Sequence, residues 1–199
     1  GRFWAGTMYE PRDQAAGQLF SCESRAGGYF TVKMVADGAT VANGLAWSPD
    51  GSTVYWADTK AHRIRAWDWM AGSNVLTRVR TFAPFPPKPE GWVFGKSTEP
   101  YGGRPDGAAV DAEGNYWVAM YEGGRILKLS PTGEQLAELR TPVLCPTMPC
   151  FGGDDLKTLY FTSASHGRSE AELAAFPQSG CVFFTRVDVP GLPVNLFQD

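Results

Sequence analysis

The sequence predicts an all-β fold of the β-propeller type, in which similar small sheets are arranged around one axis. The main observation is a strand–turn–strand phrase that occurs twice: residues 43–58 read NGLAWSPDGSTVYWAD, and residues 105–119 read PDGAAVDAEGNYWVA. Units that repeat every ~45–60 residues are typical of propeller blades. The 23 glycines and 15 prolines favour many turns and few helices.

Each part of the chain can be assigned to this pattern. Short aromatic-rich strands are predicted for the start of the chain, at 2–8, 18–23 and 29–35. The two copies predict strands separated by glycine-containing turns, at 44–48, 53–57, 63–69 and 77–82, and at 108–111, 116–121, 125–130 and 135–140. A looser third copy predicts strands at 147–152, 158–162, 181–186 and 194–197, with a short helix within 169–175. Residues 1–199 are thus predicted to form a single propeller domain with roughly four blades' worth of sequence.

Residues 83–104 interrupt the repeat with an insertion rich in proline and glycine, in which Trp92 and Phe94 lie. Loops of this length inside a compact domain are often functional. Two interpretations remain open for it. It is either a lid over one mouth of the propeller or a surface excursion.

Composition limits the partners and the location of the protein. A net charge of −3 gives no general attraction to nucleic acid or to an anionic membrane. No apolar stretch reaches the ~18 residues of a membrane span, and no leader peptide is visible. The cysteines match no zinc spacing, so free thiols in a reducing cytoplasm are predicted, with a Cys145–Cys150 disulfide as the alternative. A cytoplasmic protein without nucleic-acid or membrane partners is expected, and its oligomeric state is left open.

Each copy of the repeat begins with a short polar side chain followed by glycine, at Asn43 and Asp106. Asn-Gly and Asp-Gly are also common in plain turns. The inner strands of a propeller, however, all begin around one axis, which brings these two side chains to one place. Amide and carboxylate oxygens are the ligands of Ca²⁺, Mg²⁺ and Mn²⁺, and Zn²⁺ also accepts a carboxylate. Asn43 and Asp106 are therefore predicted to hold one divalent cation.

Other polar residues have structural interpretations. Asp58 follows an inner strand and either reaches the channel or serves the strand end. Asp111 lies in a predicted hairpin turn, and His62 and His166 are predicted to be surface or loop residues. The absence of a G-x-S-x-G elbow and of nucleotide-binding loops disfavours covalent serine chemistry and nucleotide cofactors.

A set of strings occurs in a fixed order along the chain: GRFWAGTM at 1–8, NGLAWS at 43–48, PDGAAVD at 105–111, EGGR at 122–125 and CFGG at 150–153. Together they resemble the senescence-marker-protein/gluconolactonase family, to which regucalcin and bacterial sugar lactonases belong. The resemblance spans essentially the whole chain. It implies a six-bladed propeller with one divalent cation in its central channel, and hydrolysis of lactones, typically aldonolactones.

The resemblance also implies roles for particular residues. Asn43 and Asp106 match two metal ligands of the family, while a glutamate ligand and an R-x-N-D-G string belong to a segment that would precede Gly1. Glu10 is the nearest match to a glutamate that contacts sugar hydroxyls, and is the predicted substrate-binding residue. Asp106 is also the predicted catalytic residue, because its second oxygen can accept a proton from water. The chain thus resembles the C-terminal two-thirds of such an enzyme, with an incomplete ring.

The leading hypothesis is metal-dependent hydrolysis of a small polar lactone, such as a gluconolactone, to its hydroxy acid. A divalent cation polarises the lactone carbonyl and lowers the pKa of bound water. Ca²⁺ is the expected cofactor, with Zn²⁺, Mg²⁺ and Mn²⁺ as alternatives. The competing hypotheses are a non-catalytic calcium-binding or interaction propeller, and an inactive truncated fragment.

Overall fold

The computed structural model describes residues 1–25 and 29–195, and this part of the chain is almost entirely β-sheet. Its elements, in chain order, are β1 (Arg2–Gly6), β2 (Gly17–Arg25), β3 (Tyr29–Ala39), β4 (Ala42–Trp47), β5 (Thr53–Asp58), β6 (Arg63–Met70), β7 (Val75–Pro84), β8 (Arg104–Val110), β9 (Tyr116–Tyr121), β10 (Arg125–Leu129), β11 (Gln135–Arg140), β12 (Pro146–Gly152), β13 (Thr158–Ser163), α1 (Glu170–Ala175) and β14 (Phe183–Arg186).

The strands form four sheets that follow one another along the chain: β1-β2-β3, β4-β5-β6-β7, β8-β9-β10-β11 and β12-β13-β14. Every pairing is antiparallel and joins strands that are consecutive along the chain. β8 contacts both β4 and β12, so these three are the inner strands of their sheets. The predicted all-β propeller, with four blades' worth of sequence in an open ring, is therefore confirmed.

The inner strands approach each other closely at two glycines. A Cβ at Gly44, where φ is +53°, would lie 2.9 Å from the Asp106 carbonyl oxygen and would collide with the Tyr116 hydroxyl. That hydroxyl donates a 2.5 Å hydrogen bond to the Gly44 carbonyl oxygen. A Cβ at Gly107 would lie 2.6 Å from the Thr147 carbonyl oxygen. The Asn-Gly and Asp-Gly dipeptides therefore serve strand packing inside β4 and β8, and they do not form turns.

Tryptophans of the inner half of the sheets fill the spaces between blades. Trp56 packs in an apolar cluster between the first and second sheets, and Trp117 packs in one between the third and fourth. Trp47 meets Trp4 of the first sheet, with ring centroids 5.1 Å apart. Aromatic burial of this kind contributes much of the energy that holds neighbouring sheets together.

The connections between strands also bear on the predictions. β7 and β8 are joined by residues 85–103, close to the bounds of the predicted insertion. α1 forms where a short helix is predicted, and the side chain of its N-cap Ser169 accepts a hydrogen bond from the Glu172 N–H. All four cysteines fall within the described residues, and none forms a disulfide. The strand predicted at 194–197 extends outside the described residues, and 194 and 195 are not in a strand.

Candidate functional site

A cavity of about 530 Å³ lies at the inner ends of the first three sheets. Asn43 of β4 and Asp106 of β8 both line it, so the two residues predicted to share a cation border one space. The volume is in the range of sites for small molecules, about 300–1,000 Å³. The lining also includes the polar side chains of Thr7, Arg12, Thr59, Lys60, Arg104 and Tyr121.

Both predicted ligands lie at an irregularity of their strand. The pairing of β4 with β5 shifts register between Asn43 and Ala46, and that of β8 with β9 shifts between Pro105 and Ala108. β12 has a similar shift near its start. A bulge turns side chains away from the regular alternation while the strand stays in its sheet. The equivalent bulges explain why Asn43 and Asp106 reach the same cavity.

The amide of Asn43 is oriented by a neighbouring hydroxyl. Its Nδ2 donates a 2.9 Å hydrogen bond to Oγ1 of Thr59, a buried residue that directly follows β5. With the nitrogen held in this way, the carbonyl oxygen is the amide atom that remains for the cavity. An oriented neutral oxygen of this type is a suitable ligand for a hard cation.

Asp106 is a partly buried carboxyl whose environment disfavours its charge. Burial raises the pKa of Asp106 to about 7, although the positive charge of Arg104 and the Gly107 N–H act in the opposite direction. An opposite charge nearby favours the ionised form of a carboxyl. A divalent cation in this cavity would therefore offset the cost of burying the Asp106 carboxylate.

The other acidic residues considered from sequence have structural roles. Asp58 is 1% exposed and accepts hydrogen bonds from the Thr40 and Val41 N–H groups, at 2.8 and 3.1 Å. It therefore serves the strand end and does not line the cavity. Asp111 is fully buried and accepts hydrogen bonds from Asn115 within its turn, as predicted.

Glu10, the predicted substrate-binding residue, is exposed in the segment between β1 and β2. Within the described part of the chain it is not among the residues that line the cavity, whereas Thr7, Met8 and Arg12 of the same segment are. Its role as a substrate contact stays a prediction.

The cationic residues of the cavity escaped the sequence analysis. Arg104 precedes Asp106 by two positions in β8, and alternate residues of a strand share a face, so this residue had a detectable signal. Lys60 directly follows Thr59 in the turn after β5, and its position provided a weaker signal. Arg12 lies in an irregular segment, and no sequence pattern places it near the others.

A buried carboxylate, Glu122, holds the Arg104 edge of the cavity. It forms ion pairs with Lys88 at 2.9 Å, Arg168 at 3.0 Å and Arg104 at 3.2 Å. Arg168 also pairs with buried Glu172 of α1 at 2.6 Å. Because Lys88 belongs to the 85–103 connection, this network joins that connection and α1 to the strand that carries Asp106.

The 85–103 connection is also attached through His62, which is 8% exposed. His62 lies in the turn between β5 and β6, so the prediction of a surface or loop residue is confirmed for its place in a loop, although the side chain is buried. His62 Nε2 accepts a 3.1 Å hydrogen bond from the Lys88 N–H and lies 2.7 Å from the Tyr101 hydroxyl. Its Nδ1 donates to the Lys60 carbonyl oxygen at 3.0 Å, which indicates a neutral ring. His62 thus links the connection to the turn that bears Lys60.

Protonation of His62 is expected to loosen the 85–103 connection, because a protonated ring cannot accept the Lys88 N–H. Burial lowers the pKa of His62, against a smaller opposite effect of the Lys60 carbonyl. Neutral His62 stabilises the 85–103 connection. Because the pKa of His62 is lower in the folded protein, this stabilisation is complete above the ordinary value of 6.5 and is lost as the pH falls through the folded value. Hydrogen exchange of 85–103, corrected for intrinsic rates, should accelerate as the pH falls below the ordinary value of 6.5.

The chain offers a matched control, since His166 is exposed. His166→Gln should keep the pH response of the connection, whereas His62→Gln should remove it. An unchanged pH response in His62→Gln would show that another group controls the connection.

The oxygen donors of Asn43 and Asp106 fit a hard cation, but two side chains are a small ligand set. Within the described residues, no group of three or more His, Cys, Asp and Glu side chains converges on one point. Asn43 and Asp106 supply two oxygens, compared with about six to eight around Ca²⁺. Water, substrate or further residues would have to complete the coordination.

The four-sheet fold and its axial cavity define a β-propeller protein with a candidate cation and small-molecule site. A family model described as SMP-30/Gluconolactonase/LRE-like region matches residues 1–165. The chain belongs to this family, and the resemblance inferred from its strings is confirmed. Among residues 1–25 and 29–195, no helix has the length and apolar character needed to cross a membrane.

Three similar proteins illustrate the relationship. The chain is 44% identical to the 6-deoxy-6-sulfogluconolactonase of Pseudomonas putida over 99% of its length, and 34% identical to the regucalcin of Gallus gallus over 97%. These matches span 62% and 61% of the two relatives' lengths. The solved structure of a calcium-binding regucalcin from Agrobacterium tumefaciens has a TM-score of 0.82 and 27% identity, covering all of this chain and 61% of that one.

Proposed function

We propose that the protein carrying this chain hydrolyses a small polar lactone to its hydroxy acid, with the help of a divalent cation held by Asn43 and Asp106. The main support is that oxygen ligands from two adjacent inner strands line one cavity. A relative 44% identical to the chain is named as a sulfonated gluconolactone hydrolase, which supports the reaction class. Because the chain spans about three fifths of that relative, assays should use the protein in its natural length.

In the proposed reaction, water adds to the lactone carbonyl and the ring C–O bond breaks, which gives the hydroxy acid. A bound cation would polarise the carbonyl and make the attacking water more acidic. Asn43 holds a neutral oxygen in a fixed direction through its bond to Thr59. Asp106 would hold the cation with one charged oxygen, and its second oxygen would accept the proton of the attacking water and pass it to the ring oxygen as the ring C–O bond breaks.

Ca²⁺ is the proposed ion, with Zn²⁺, Mg²⁺ and Mn²⁺ as alternatives, because the two side chains offer only oxygen. The description of the Agrobacterium tumefaciens regucalcin as calcium-binding supports this choice. Glu10 remains the proposed contact to substrate hydroxyls. The free thiols support a cytoplasmic location, which cell fractionation can test.

Removal of divalent metal is the direct test of the proposed function. Chelation should lower the rate of gluconolactone hydrolysis by about a hundredfold or more, since metal assistance supplies several kcal/mol. Addition of Ca²⁺, and then of each alternative ion, should restore it. A thermal melt in chelator serves as the control for folding. A rate that chelation leaves unchanged in well-folded protein would contradict the metal-dependent reaction.

The second candidate is a calcium-binding propeller without catalysis, which the similarity to regucalcins favours. Calorimetry separates the two candidates. Metal binding that requires Asn43 and Asp106, together with no turnover of any lactone tested, would favour the binding protein.

A further inference from the structure

The cavity carries more positive than negative charge. Arg12, Lys60 and Arg104 line it, and among the described residues Asp106 is the only carboxylate in its lining. A cation bound at Asp106 would make the space more positive still. A cleft lined by charge of one sign raises the local concentration of ligands of the opposite sign.

The three cationic side chains differ in whether a nearby carboxylate neutralises their charge. Arg104 pairs with Glu122 and lies over the Tyr121 ring, 5.3 Å from its centroid. The Lys60 ammonium donates to the Arg12 carbonyl oxygen, which joins the two segments, and the described residues provide no carboxylate partner for either side chain. Arg12 and Lys60, here called the cationic rim, therefore hold the uncompensated charge of the cavity.

The cationic rim lies on the same mouth as the predicted metal ligands. Ala42 at the start of β4 pairs with Asp58 at the end of β5, so Lys60 follows β5 at the end where Asn43 begins its strand. Arg12 and Lys60 are both exposed, whereas Asn43 and Asp106 are partly buried. A small ligand with its reacting group beside Asn43 and Asp106 would extend outward to the rim.

We propose that the cationic rim selects lactones that carry an anionic group, such as a carboxylate, phosphate or sulfonate, at the end distant from the lactone carbonyl. This inference rests on the proposed lactone hydrolysis. A guanidinium donates paired hydrogen bonds to the oxygens of such a group, and an ammonium adds a point charge. A neutral aldonolactone would fit the cavity but would leave both rim cations without a partner.

The test compares gluconolactone with analogues that carry a carboxylate, a phosphate or a sulfonate at C6, using metal-loaded protein of natural length. At least one anionic lactone should have a kcat/KM about tenfold or more above that of the neutral lactone, and this advantage should shrink with salt. The double variant Arg12→Gln, Lys60→Gln should reduce kcat/KM for the anionic lactone about tenfold more than for the neutral one, mainly through KM. The preferred analogue identifies the anion.

Arg78→Gln is the matched control, because Arg78 is 84% exposed on the outer strand β7 and its loss removes a positive charge outside the cavity. It should leave the preference unchanged. Equal losses for both lactones in the double variant, or a preference for the neutral lactone, would overturn the inference.

A binding measurement separates failure of this inference from failure of the proposed function. Calorimetry compares gluconate with its 6-sulfonate, 6-phosphate and 6-carboxylate derivatives, which needs no turnover. Rim-dependent binding of a derivative without hydrolysis of any lactone would refute the proposed reaction and support the anion site. Equal binding of all these acids would refute the anion site, whatever the activity.

Discussion

Asp106→Asn is expected to lower kcat/KM for lactone hydrolysis by about a thousandfold or more, a loss of about 4 kcal/mol of transition-state stabilisation. Asparagine has nearly the same shape, but it lacks the charge that attracts the cation and the oxygen that accepts a proton. Since burial raises the pKa of Asp106 to about 7, a neutral side chain at this position should not destabilise the fold. The measurements are steady-state kinetics, metal binding by calorimetry and a thermal melt.

Asp154→Asn is a suitable control for this experiment. Asp154 is exposed in the turn after β12, so its replacement removes the same charge away from the cavity. Its kinetics and metal binding should match those of the natural protein. If Asp106→Asn kept nearly full activity and unfolded normally, neither the ligand role nor the proton-accepting role of Asp106 could stand.

Glu122→Gln is expected to produce the largest loss of stability, about 3 kcal/mol, because three cations would keep their positions without a shared carboxylate. For a chain of this size, such a loss corresponds to a fall in Tm of about 6–12 °C. Burial raises the pKa of Glu122, but the hydrogen bond from Lys88 and the charges of Arg104 and Lys88 more than reverse this effect, so the net shift is downward. The stabilisation is therefore complete above the ordinary value of 4.5 and is lost as the pH falls through the lower folded value.

Urea unfolding at neutral and acidic pH tests both the size and the pH dependence of this effect. Asp68→Asn is the comparison, because Asp68 also pairs with two arginines, Arg78 and Arg80, but is more than a third exposed. Its loss should cost at most about 1 kcal/mol. If Glu122→Gln lowered the free energy of unfolding by a similarly small amount, the buried network would contribute little. The same would follow if the difference in this free energy between Glu122→Gln and the natural protein stayed constant in acid.

The two copies of the repeated phrase were sufficient to predict the second and third sheets and the shared location of the two candidate ligands. Asn43 and Asp106 begin equivalent strands, and the strands of a propeller converge, so sequence register translates directly into spatial proximity. Each copy of the phrase also contributes a tryptophan, Trp56 or Trp117, that packs between blades.

The residues that escaped prediction depend on contacts between distant segments. Glu122 meets Lys88 and Arg168, which are 34 and 46 positions away, and neither partner belongs to a repeat. His62 is buried, and it meets Lys88 and Tyr101 of the 85–103 connection, which are 26 and 39 positions away. Arg12 reaches the cavity from an irregular segment. Such contacts have no periodic signature, so one sequence without relatives does not reveal them.

The equivalent bulges of β4 and β8 have a consequence for how this family can diversify. The oxygens proposed to bind the ion are positioned by sheet pairing, while the rim cations come from the segment after β1 and the turn after β5. Substitutions or insertions in those outer segments can change which molecules enter without displacing the reactive atoms. The proposed ion-binding oxygens and the proposed anion-selecting cations can therefore change independently of each other on this scaffold.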